Sequence, residues 1–408
     1  MDLSRPTARP WESPADYWGG MTAATASLDT PVGALNRSAL AHNAYDMLDR
    51  AQGTTIRVAS KSIRVRGVIE QVLSLPGYAG VLAYTLPEAL WLAETVDDVV
   101  VGYPSVDREA IRTLATSPDL ARRVTVMVDS TAQLDAIDSV LLAGKRESIR
   151  VCLELDASWD APVLGHIGVY RSPVHSVADA RALASEIVAR PGFELVGIMA
   201  YEAQIAGLTN RPPGRPVRGR MIDWIQRNSS AELVSRRGAV VAAVRELADL
   251  EFVNGGGTGS LERTSADPSV TEIAAGSGLM GPRLFDGYSH FQPAPAAAFA
   301  LSVVRKPTPD RATLLGGGWI ASGPPAADRM PELAWPRGLS YESREGAGEV
   351  QSPVRGLAAE SLEVGDRVWL RHTKAGELSE HLNEFAVVDG DTIVETLPTY
   401  RGEGKAFL

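Results

Sequence analysis

The feature that most constrains this chain is an alternation, from about Ile56 to Gly278, of short apolar runs and longer stretches of helical spacing. Each run is rich in β-branched residues and ends at a polar residue or a glycine. The eight runs are 56–59, 80–84, 99–103, 124–129, 151–156, 196–201, 252–255 and 271–276. Eight strands that alternate with helices within about 220 residues predict an α/β fold, a closed (β/α)8 TIM barrel, although an open doubly wound sheet gives a similar alternation.

Two of the intervening stretches have the spacing of helices. In the first, Asp179, Arg181 and Glu186 point away from an apolar face. That face consists of Val177, Ala180, Leu183, Ala184, Ile187 and Val188. The second stretch, 238–245, is rich in alanine and valine, and we expect it to be a helix as well.

The pattern changes after Pro293 to short β runs separated by glycine and proline, at 300–304, 313–316 and 367–370. Two further runs flank Asp389-Gly390-Asp391, which predicts a hairpin because glycine supplies positive φ. We therefore expect an all-β C-terminal domain after the barrel. The expected boundaries are an N-terminal segment at 1–30 that lacks helical periodicity and packs on the other domains, the barrel at 31–292 and the β domain at 293–408.

Composition limits the classes of partner. Of the 408 residues, 45% are hydrophobic and 22% are charged, which excludes a largely disordered chain. The net charge of −10 repels nucleic acid and anionic lipid, so we expect neither as a partner and expect any phosphate to be bound by local donors. The single cysteine, Cys152, and the absence of a signal peptide or membrane-spanning run predict a cytoplasmic protein.

Lys61 follows the first apolar run. This position predicts a lysine at the carboxyl end of a barrel strand, where barrel active sites are built. Partial desolvation lowers the pKa of a lysine there, and the neutral amine can attack an aldehyde. The alternative is a solvated cation that only ends a strand.

Glycine-rich segments follow the seventh and eighth runs. Barrel loops at these positions commonly bind phosphate through main-chain N–H groups, because glycine lets the chain approach the oxygens. A dinucleotide-binding fingerprint is disfavoured, since Ser260 replaces the third glycine and Pro268 interrupts the required helix. The remaining alternative is a tight turn with no ligand. The candidate phosphate-binding residues are Gly256, Gly257, Thr258, Gly276, Ser277 and Gly278.

A lysine opposite a phosphate cradle suits an aldehyde cofactor that carries a phosphate, and pyridoxal 5′-phosphate (PLP) is such a molecule. The order of the motifs resembles that of the fold-type III PLP enzymes, in particular the D-threonine aldolase and D-serine dehydratase branch, similar to the alanine racemase N-terminal barrel. The resemblance covers nearly the whole chain and rests on Lys61, the segment 197–202, the two glycine segments and the β tail. It implies that Lys61 forms the Schiff base, that the glycine loops bind the cofactor phosphate and that Tyr201 lies beside the cofactor ring.

The chain departs from this branch at a cofactor-binding arginine. The branch commonly has Gly-Arg-x-Gly-Val, whereas this chain reads Gly-His-Ile-Gly-Val at 165–169, with Arg171 slightly downstream. In the place of the arginine, His166 would donate a hydrogen bond but titrate near neutrality, which would make the electronics of the imine pH-dependent. A loop histidine without a role is the alternative. We name both His166 and Arg171 as candidate cofactor-binding residues.

A second departure concerns a metal. The branch binds a divalent ion through a His-x-Cys or His-x-Asp pair in the tail; His372 matches the histidine, but Lys374 occupies the second position and its charge repels a metal. His381, Glu377 and Glu380 could supply other ligands. Alternatively, His372 and Lys374 could donate a proton to the substrate's β-oxygen directly, or the segment could be a charged hairpin end. We expect a metal-independent or altered site.

The resemblance implies a PLP-dependent lyase that acts on a D-configured β-hydroxy amino acid. With His372 as base, cleavage of Cα–Cβ gives glycine and an aldehyde, whereas loss of Cα–H and hydroxide gives a 2-oxo acid and ammonia. A racemase needs a second base, for which Tyr341 and Tyr400 are candidates, and a non-catalytic PLP-binding protein would need only the barrel. The resemblance also implies a head-to-tail homodimer in which each tail completes the partner's site.

Overall fold

The computed structural model describes residues 1–212, 214–324, 326–374 and 376–408. These residues form two compact units, which we call the sheet unit and the barrel unit. The sheet unit comprises Met1–Asp46, Lys61–Leu75 and Ser277–Ala406, and the barrel unit comprises Met47–Ser60, Pro76–Gly276 and Phe407–Leu408. The units therefore divide the chain differently from the expected boundaries at residues 30 and 292.

Strands and helices are numbered along the chain. The strands are β1 Val32–Asn36, β2 Thr55–Ala59, β3 Tyr78–Ala83, β4 Val99–Val101, β5 Val124–Val128, β6 Ile149–Glu154, β7 Trp159–Ala161, β8 Gly165–Ile167, β9 Phe193–Ala200, β10 Phe252–Gly255, β11 Glu272–Ala275, β12 Ala297–Thr308, β13 Arg311–Leu315, β14 Glu332–Trp335, β15 Ser340–Tyr341, β16 Gln351–Arg355, β17 Arg367–Arg371, β18 Glu384–Asp389 and β19 Thr392–Pro398. The helices are α1 Pro14–Ala24, α2 Arg37–Ala51, α3 Arg66–Leu73, α4 Leu86–Leu92, α5 Arg108–Thr116, α6 Pro118–Arg123, α7 Thr131–Val140, α8 Val177–Ala189, α9 Ala203–Ala206, α10 Pro216–Arg245, α11 Leu261–Ser265, α12 Ser277–Met280 and α13 Leu357–Glu360.

The barrel unit contains a closed parallel barrel in the order β2-β3-β4-β5-β6-β9-β10-β11, with β11 paired back to β2. Each of the eight apolar runs is one of these strands, so the predicted barrel is confirmed over the open sheet. Side chains from different strands pack together in the core, where apolar burial stabilises the closed sheet. They include Val100, Met127, Cys152, Met199 and Phe252.

Several helices of the barrel unit, among them α4, α5, α6 and α8, begin at side-chain caps. Ser176 and Asp179 form a capping box at the start of α8, which satisfies main-chain N–H groups of the first turn. The predicted apolar face of α8 is largely buried, but Val188 is exposed. The second predicted helix is the last part of α10, which begins much earlier, at Pro216. Its buried side includes Gln226, Ser229 and Arg237, so the apolar pattern does not show its first half.

The sheet unit is built on a mixed sheet in the order β15-β16-β13-β12-β1-β18-β19, and β17 pairs with both β12 and β14. The predicted C-terminal β domain is therefore confirmed, and Gly390, with φ of +63°, joins β18 to β19 as expected. Strand β1 comes from the N-terminal region and lies between β12 and β18, antiparallel to the first and parallel to the second.

The N-terminal segment also differs from its expected irregular form, because 14–24 form helix α1. Its buried side chains, Tyr17, Trp18 and Met21, pack in one cluster with Trp369 of β17. Sequence periodicity does not reveal this helix, since the buried positions span little more than one turn. Among the described residues, none of the helices combines the length and the apolar character of a membrane-spanning segment.

Candidate active site

The first glycine loop follows β10 in the barrel unit. Gly256 has φ of +75°, a conformation that favours glycine. A Cβ built on Gly257 would lie 3.3 Å from Cε2 of Tyr201 and 3.1 Å from the Ala206 side chain. The structure thus brings together Tyr201 and the glycine loop, two features that the sequence places 55 residues apart, and glycine keeps the space between them open.

Charged groups hold both ends of this loop. The amide of Gly256 donates to Oε2 of Glu202 at 2.9 Å, so this amide is already used within the protein. At the other end, Nη2 of Arg50 donates to the carbonyl oxygen of Thr258 at 2.7 Å. No role was predicted for Glu202 or Arg50 from the sequence, although Glu202 directly follows the candidate Tyr201.

The second glycine segment follows β11. A Cβ built on Gly276 would lie 2.3 Å from the carbonyl oxygen of Ala59, the last residue of β2. Ser60, the next residue, is fixed to β3 because its hydroxyl donates to the carbonyl of Leu82 at 3.1 Å. Gly276 therefore packs directly against the end of the strand that precedes Lys61.

Arg171 and His166 have different surroundings. The Arg171 guanidinium lies 5.1 Å from the centroid of the Tyr201 ring and 5.6 Å from that of Tyr103. His166 lies on the β7–β8 hairpin, where it stacks on Tyr170 with centroids 4.1 Å apart and approaches Asp160 at 3.3 Å. Of the two candidates for the cofactor arginine, Arg171 is thus the one that contacts Tyr201.

Glu154 is a functional candidate that the sequence analysis did not single out. It ends β6 and is buried, and burial raises its pKa to about 7, although the charge of Arg171 opposes this shift and Asp129 and Asp156 add to it. A carboxyl group that titrates near neutrality at the carboxyl end of a barrel strand is typical of functional sites.

This raised pKa makes stability depend on pH. The carboxyl group of the unfolded chain ionises near pH 4.5, whereas the folded chain keeps its proton up to about pH 7. As pH rises through this window, the free energy of unfolding of the wild type should therefore fall relative to that of Glu154→Gln, by about 3 kcal/mol in total. Urea denaturation at pH 4.5, 5.5, 7 and 8 measures the difference. The exposed Glu246→Gln is the control, and a difference independent of pH would contradict the assignment.

The sheet unit carries Lys61, which is half-buried and lies in a 3-10 turn at Ser60–Ser62. Its carbonyl oxygen accepts from Nε of Arg64 at 3.0 Å, and a Cβ built on Gly376 would lie 2.3 Å from the same oxygen. Ser379 donates to the carbonyl of Ile63 at 2.7 Å. The segment 376–379 is thus packed against the Lys61 turn, within one unit.

His372 is fully buried at the end of β17. Burial lowers the pKa of His372 to about 4, although Glu377 opposes this shift and the ring also forms a hydrogen bond to the main chain of Ala297. Its Nδ1 has no hydrogen-bond partner among the described residues. With this pKa the ring is neutral at physiological pH. The carbonyl of His372 accepts a hydrogen bond from the amide of Arg283 at 3.1 Å. This bond ties β17 to the segment that follows α12, the helix that contains the candidates Ser277 and Gly278.

The other residues of this loop do not form a metal site. The Lys374 ammonium lies 3.4 Å from the carbonyl oxygen of Ser322, and Glu377 accepts from the amides of Thr373 and Lys374 at 3.1 and 2.8 Å. His381 stacks on a tryptophan ring, with centroids 4.8 Å apart. Over the described ranges, no group of three or more His, Cys, Asp or Glu side chains could hold a metal ion. These described side chains, a cationic Lys374 and a Glu377 whose carboxylate already accepts two amides, do not fit a divalent ion.

The two tyrosines considered as a second base both lie in the sheet unit. The Tyr341 hydroxyl donates to the carbonyl of Pro331 at 3.0 Å, and burial raises the pKa of Tyr341. Tyr400 is fully buried, and its amide donates to the carbonyl of Arg64 at 2.9 Å. Both are built into the packing of their own chain.

The chain is similar to known proteins over most of its length. A family model described as alanine racemase, N-terminal domain, matches residues 35–283. A curated D-threonine aldolase from Arthrobacter sp is 25% identical over 274 residues, and this match spans 64% of each chain.

Two solved structures share the fold. The crystal structure of D-threonine aldolase from Filomicrobium marinum has a TM-score of 0.73 and 21% identity, over 92% of this chain and 96% of that chain. D-threo-3-hydroxyaspartate dehydratase from Delftia sp. HT23 has a TM-score of 0.64 and 18% identity, over 91% and 98%. At these identities the likeness shows the fold alone.

Proposed function

Because the chain belongs to the alanine racemase N-terminal domain family, we propose that it is a PLP-dependent lyase acting on a D-configured β-hydroxy amino acid. The observation that carries this proposal is the juxtaposition of Tyr201 with the glycine loop after β10, in a barrel whose strand β2 leads directly to Lys61. The curated relative named as a D-threonine aldolase supports the substrate class.

The residues present fit a phosphate-bearing aldehyde cofactor. Lys61 supplies a primary amine, and Gly257 leaves open the space that a side chain would fill beside Tyr201. Gly276, packed against the end of β2, belongs to the second candidate phosphate loop. Under this proposal Lys61 holds the cofactor covalently, Gly257 leaves room for it beside Tyr201, and Thr258, Ser277 and Gly278 hold its phosphate.

When bound, the cofactor withdraws electrons from Cα of an amino acid, so that one of the bonds to Cα can break. Lys61, once free of the cofactor, can accept or return a proton at Nζ. His372, neutral at physiological pH, can accept the proton of the substrate's β-hydroxyl at Nδ1. Cleavage of Cα–Cβ after deprotonation of this hydroxyl would make the chain an aldolase, whereas loss of the Cα proton to Nζ of Lys61 with departure of hydroxide would make it a dehydratase.

Product analysis tests the proposal. The full chain, supplied with PLP, is incubated with the D- and L-forms of threonine, serine and threo-3-hydroxyaspartate. Glycine with an aldehyde identifies an aldolase, a 2-oxo acid with ammonia identifies a dehydratase, and the inverted enantiomer identifies a racemase. We expect one of the first two outcomes with D-substrates only. PLP binding without turnover of any substrate would instead indicate a non-catalytic PLP-binding protein.

Removal of divalent metal is expected to leave this activity unchanged within about twofold, because the residues around His372 do not provide a ligand set. Activity is measured after dialysis against EDTA and again after addition of Mn²⁺, Mg²⁺ or Zn²⁺. A stimulation of tenfold or more by one of these ions would return His372 to the role of metal ligand.

The homodimer implied by the resemblance remains a prediction. Sedimentation equilibrium of the full chain checks it directly, and a monomer at all concentrations would contradict it.

A further inference from the structure

We propose that Glu202 is the positioning residue that makes the glycine loop select a phosphorylated cofactor over its dephosphorylated form. This inference rests on the proposed function and deepens it. It concerns a side chain buried behind the loop, which the sequence resemblance did not assign.

Both carboxylate oxygens of Glu202 hold the loop region. Oε2 accepts the amide of Gly256 at 2.9 Å, and Oε1 accepts the hydroxyl of Thr264 at 2.6 Å. The hydroxyl of Thr264 lies 3.0 Å from the hydroxyl of Ser260. The Ser260 hydroxyl in turn accepts a hydrogen bond from the amide of Gly257 at 3.2 Å. One carboxylate thus holds two successive amides of the loop, directly at Gly256 and through two hydroxyl groups at Gly257.

The site is built for a buried charge. Glu202 is only 2% exposed, as is Arg237, whose Nη1 lies 3.7 Å from Oε2 of Glu202. Nε of Arg237 also pairs with the buried Asp267 at 2.9 Å. A buried carboxylate is costly unless it is paired and hydrogen-bonded, and Glu202 is both.

Arg50 acts on the far side of the same loop. Its Nη2 donates to the carbonyl oxygen of Thr258, and its Nε donates to Oε1 of Glu262 at 2.6 Å. Because a trans peptide directs its C=O and N–H to opposite sides, the amide of Gly259 points away from Arg50. The loop is therefore fixed by Glu202 at its first peptide and by Arg50 at a later one.

This arrangement has a different effect on each part of a cofactor. A phosphate is recognised by several main-chain N–H groups at once, so its binding depends on a loop that is already in the right shape. The ring and aldehyde are held by other groups, Tyr201 and Lys61. Loss of Glu202 should therefore weaken binding of PLP much more than binding of pyridoxal, which has no phosphate.

The test compares the two vitamers on the full chain after removal of bound cofactor with hydroxylamine. Dissociation constants for PLP and pyridoxal are measured by near-ultraviolet absorbance and equilibrium dialysis. Glu202→Gln, which preserves volume, is expected to raise Kd for PLP about tenfold, as for loss of one charge-assisted hydrogen bond, and to leave Kd for pyridoxal within about twofold.

Two further variants keep the test decisive. Glu272→Gln is the control, because it removes a buried carboxylate that pairs with Arg57 at 2.7 Å and does not hold the glycine loop. This variant should leave the ratio of the two dissociation constants unchanged. Should Glu202→Gln fail to fold, Thr264→Val retains every charge and removes only the hydroxyl that Glu202 accepts. Thr264→Val is expected to reduce the ratio of the dissociation constant for pyridoxal to that for PLP by about threefold.

The outcomes separate the inference from the function on which it rests. An equal loss of affinity for both vitamers, or an unchanged ratio in folded Glu202→Gln, would overturn the role of Glu202 while leaving the PLP-dependent function intact. A wild type that binds both vitamers equally well would also overturn the role of Glu202 and leave the PLP-dependent function intact. A wild type that binds neither would overturn the proposed function itself.

Discussion

Replacement of Lys61 with alanine is expected to abolish covalent attachment of PLP and to lower kcat at least about a thousandfold. The reason is that the segment between β2 and α3 contains no other lysine. The wild type loaded with PLP should be yellow, and borohydride should bleach it and add the mass of the reduced cofactor. The variant should show neither change. Absorbance, mass spectrometry after borohydride and the product assay measure the three effects.

The matched control is Lys145→Ala, which removes an exposed lysine from the turn between α7 and β6. This variant should retain the yellow colour, the added mass and the activity. If Lys61→Ala kept covalent attachment and turnover, the role given to this lysine would be wrong. A wild type that remains colourless after incubation with PLP would remove the basis of the whole proposal.

Gly276→Ala is expected to disrupt the junction of β11 with β2. The new Cβ would lie 2.3 Å from the carbonyl oxygen of Ala59, and this contact is with main chain that cannot rotate away. Overpacking of this kind should lower the free energy of unfolding by about 1–3 kcal/mol. Because Ala59 is two residues before Lys61, we also expect weaker retention of PLP, measured by dialysis of the loaded protein.

Gly238→Ala serves as the control for this substitution. Gly238 lies inside α10, where a Cβ meets no atom within 4 Å, and alanine should stabilise the helix by about 0.5–1 kcal/mol. The two variants introduce the same methyl group with opposite expected signs, and urea denaturation compares them. A Gly276→Ala variant as stable as the wild type would show that the β2–β11 junction is not tightly packed.

The barrel was predictable because each of its strands leaves a local trace. A buried parallel strand has apolar residues on both faces, and this makes a short continuous run that is visible without knowledge of its neighbours. The start of α10 was not predictable in this way. Its buried side is partly polar, with Gln226 donating to the carbonyls of Ile205 and Leu208, and such contacts leave no apolar period.

The candidate site shows the same division. Lys61 and the glycine segments could be named because their positions follow from strand order. The contacts of Glu202 could not, since its partners Gly256 and Thr264 lie 54 and 62 residues away in the chain. The different surroundings of His166 and Arg171 depend on the path of the chain through and beyond the β7–β8 hairpin, which sequence spacing does not determine.

Strand β1 has a consequence for how the molecule is made. It pairs with Ala297–Ala300 on one edge and with Ala386–Val388 on the other, so both partners are translated long after it leaves the ribosome. At usual rates of synthesis, this apolar segment waits on the order of tens of seconds before its neighbours exist. Any truncation before residue 386 should therefore leave one edge of β1 unpaired and prone to aggregation.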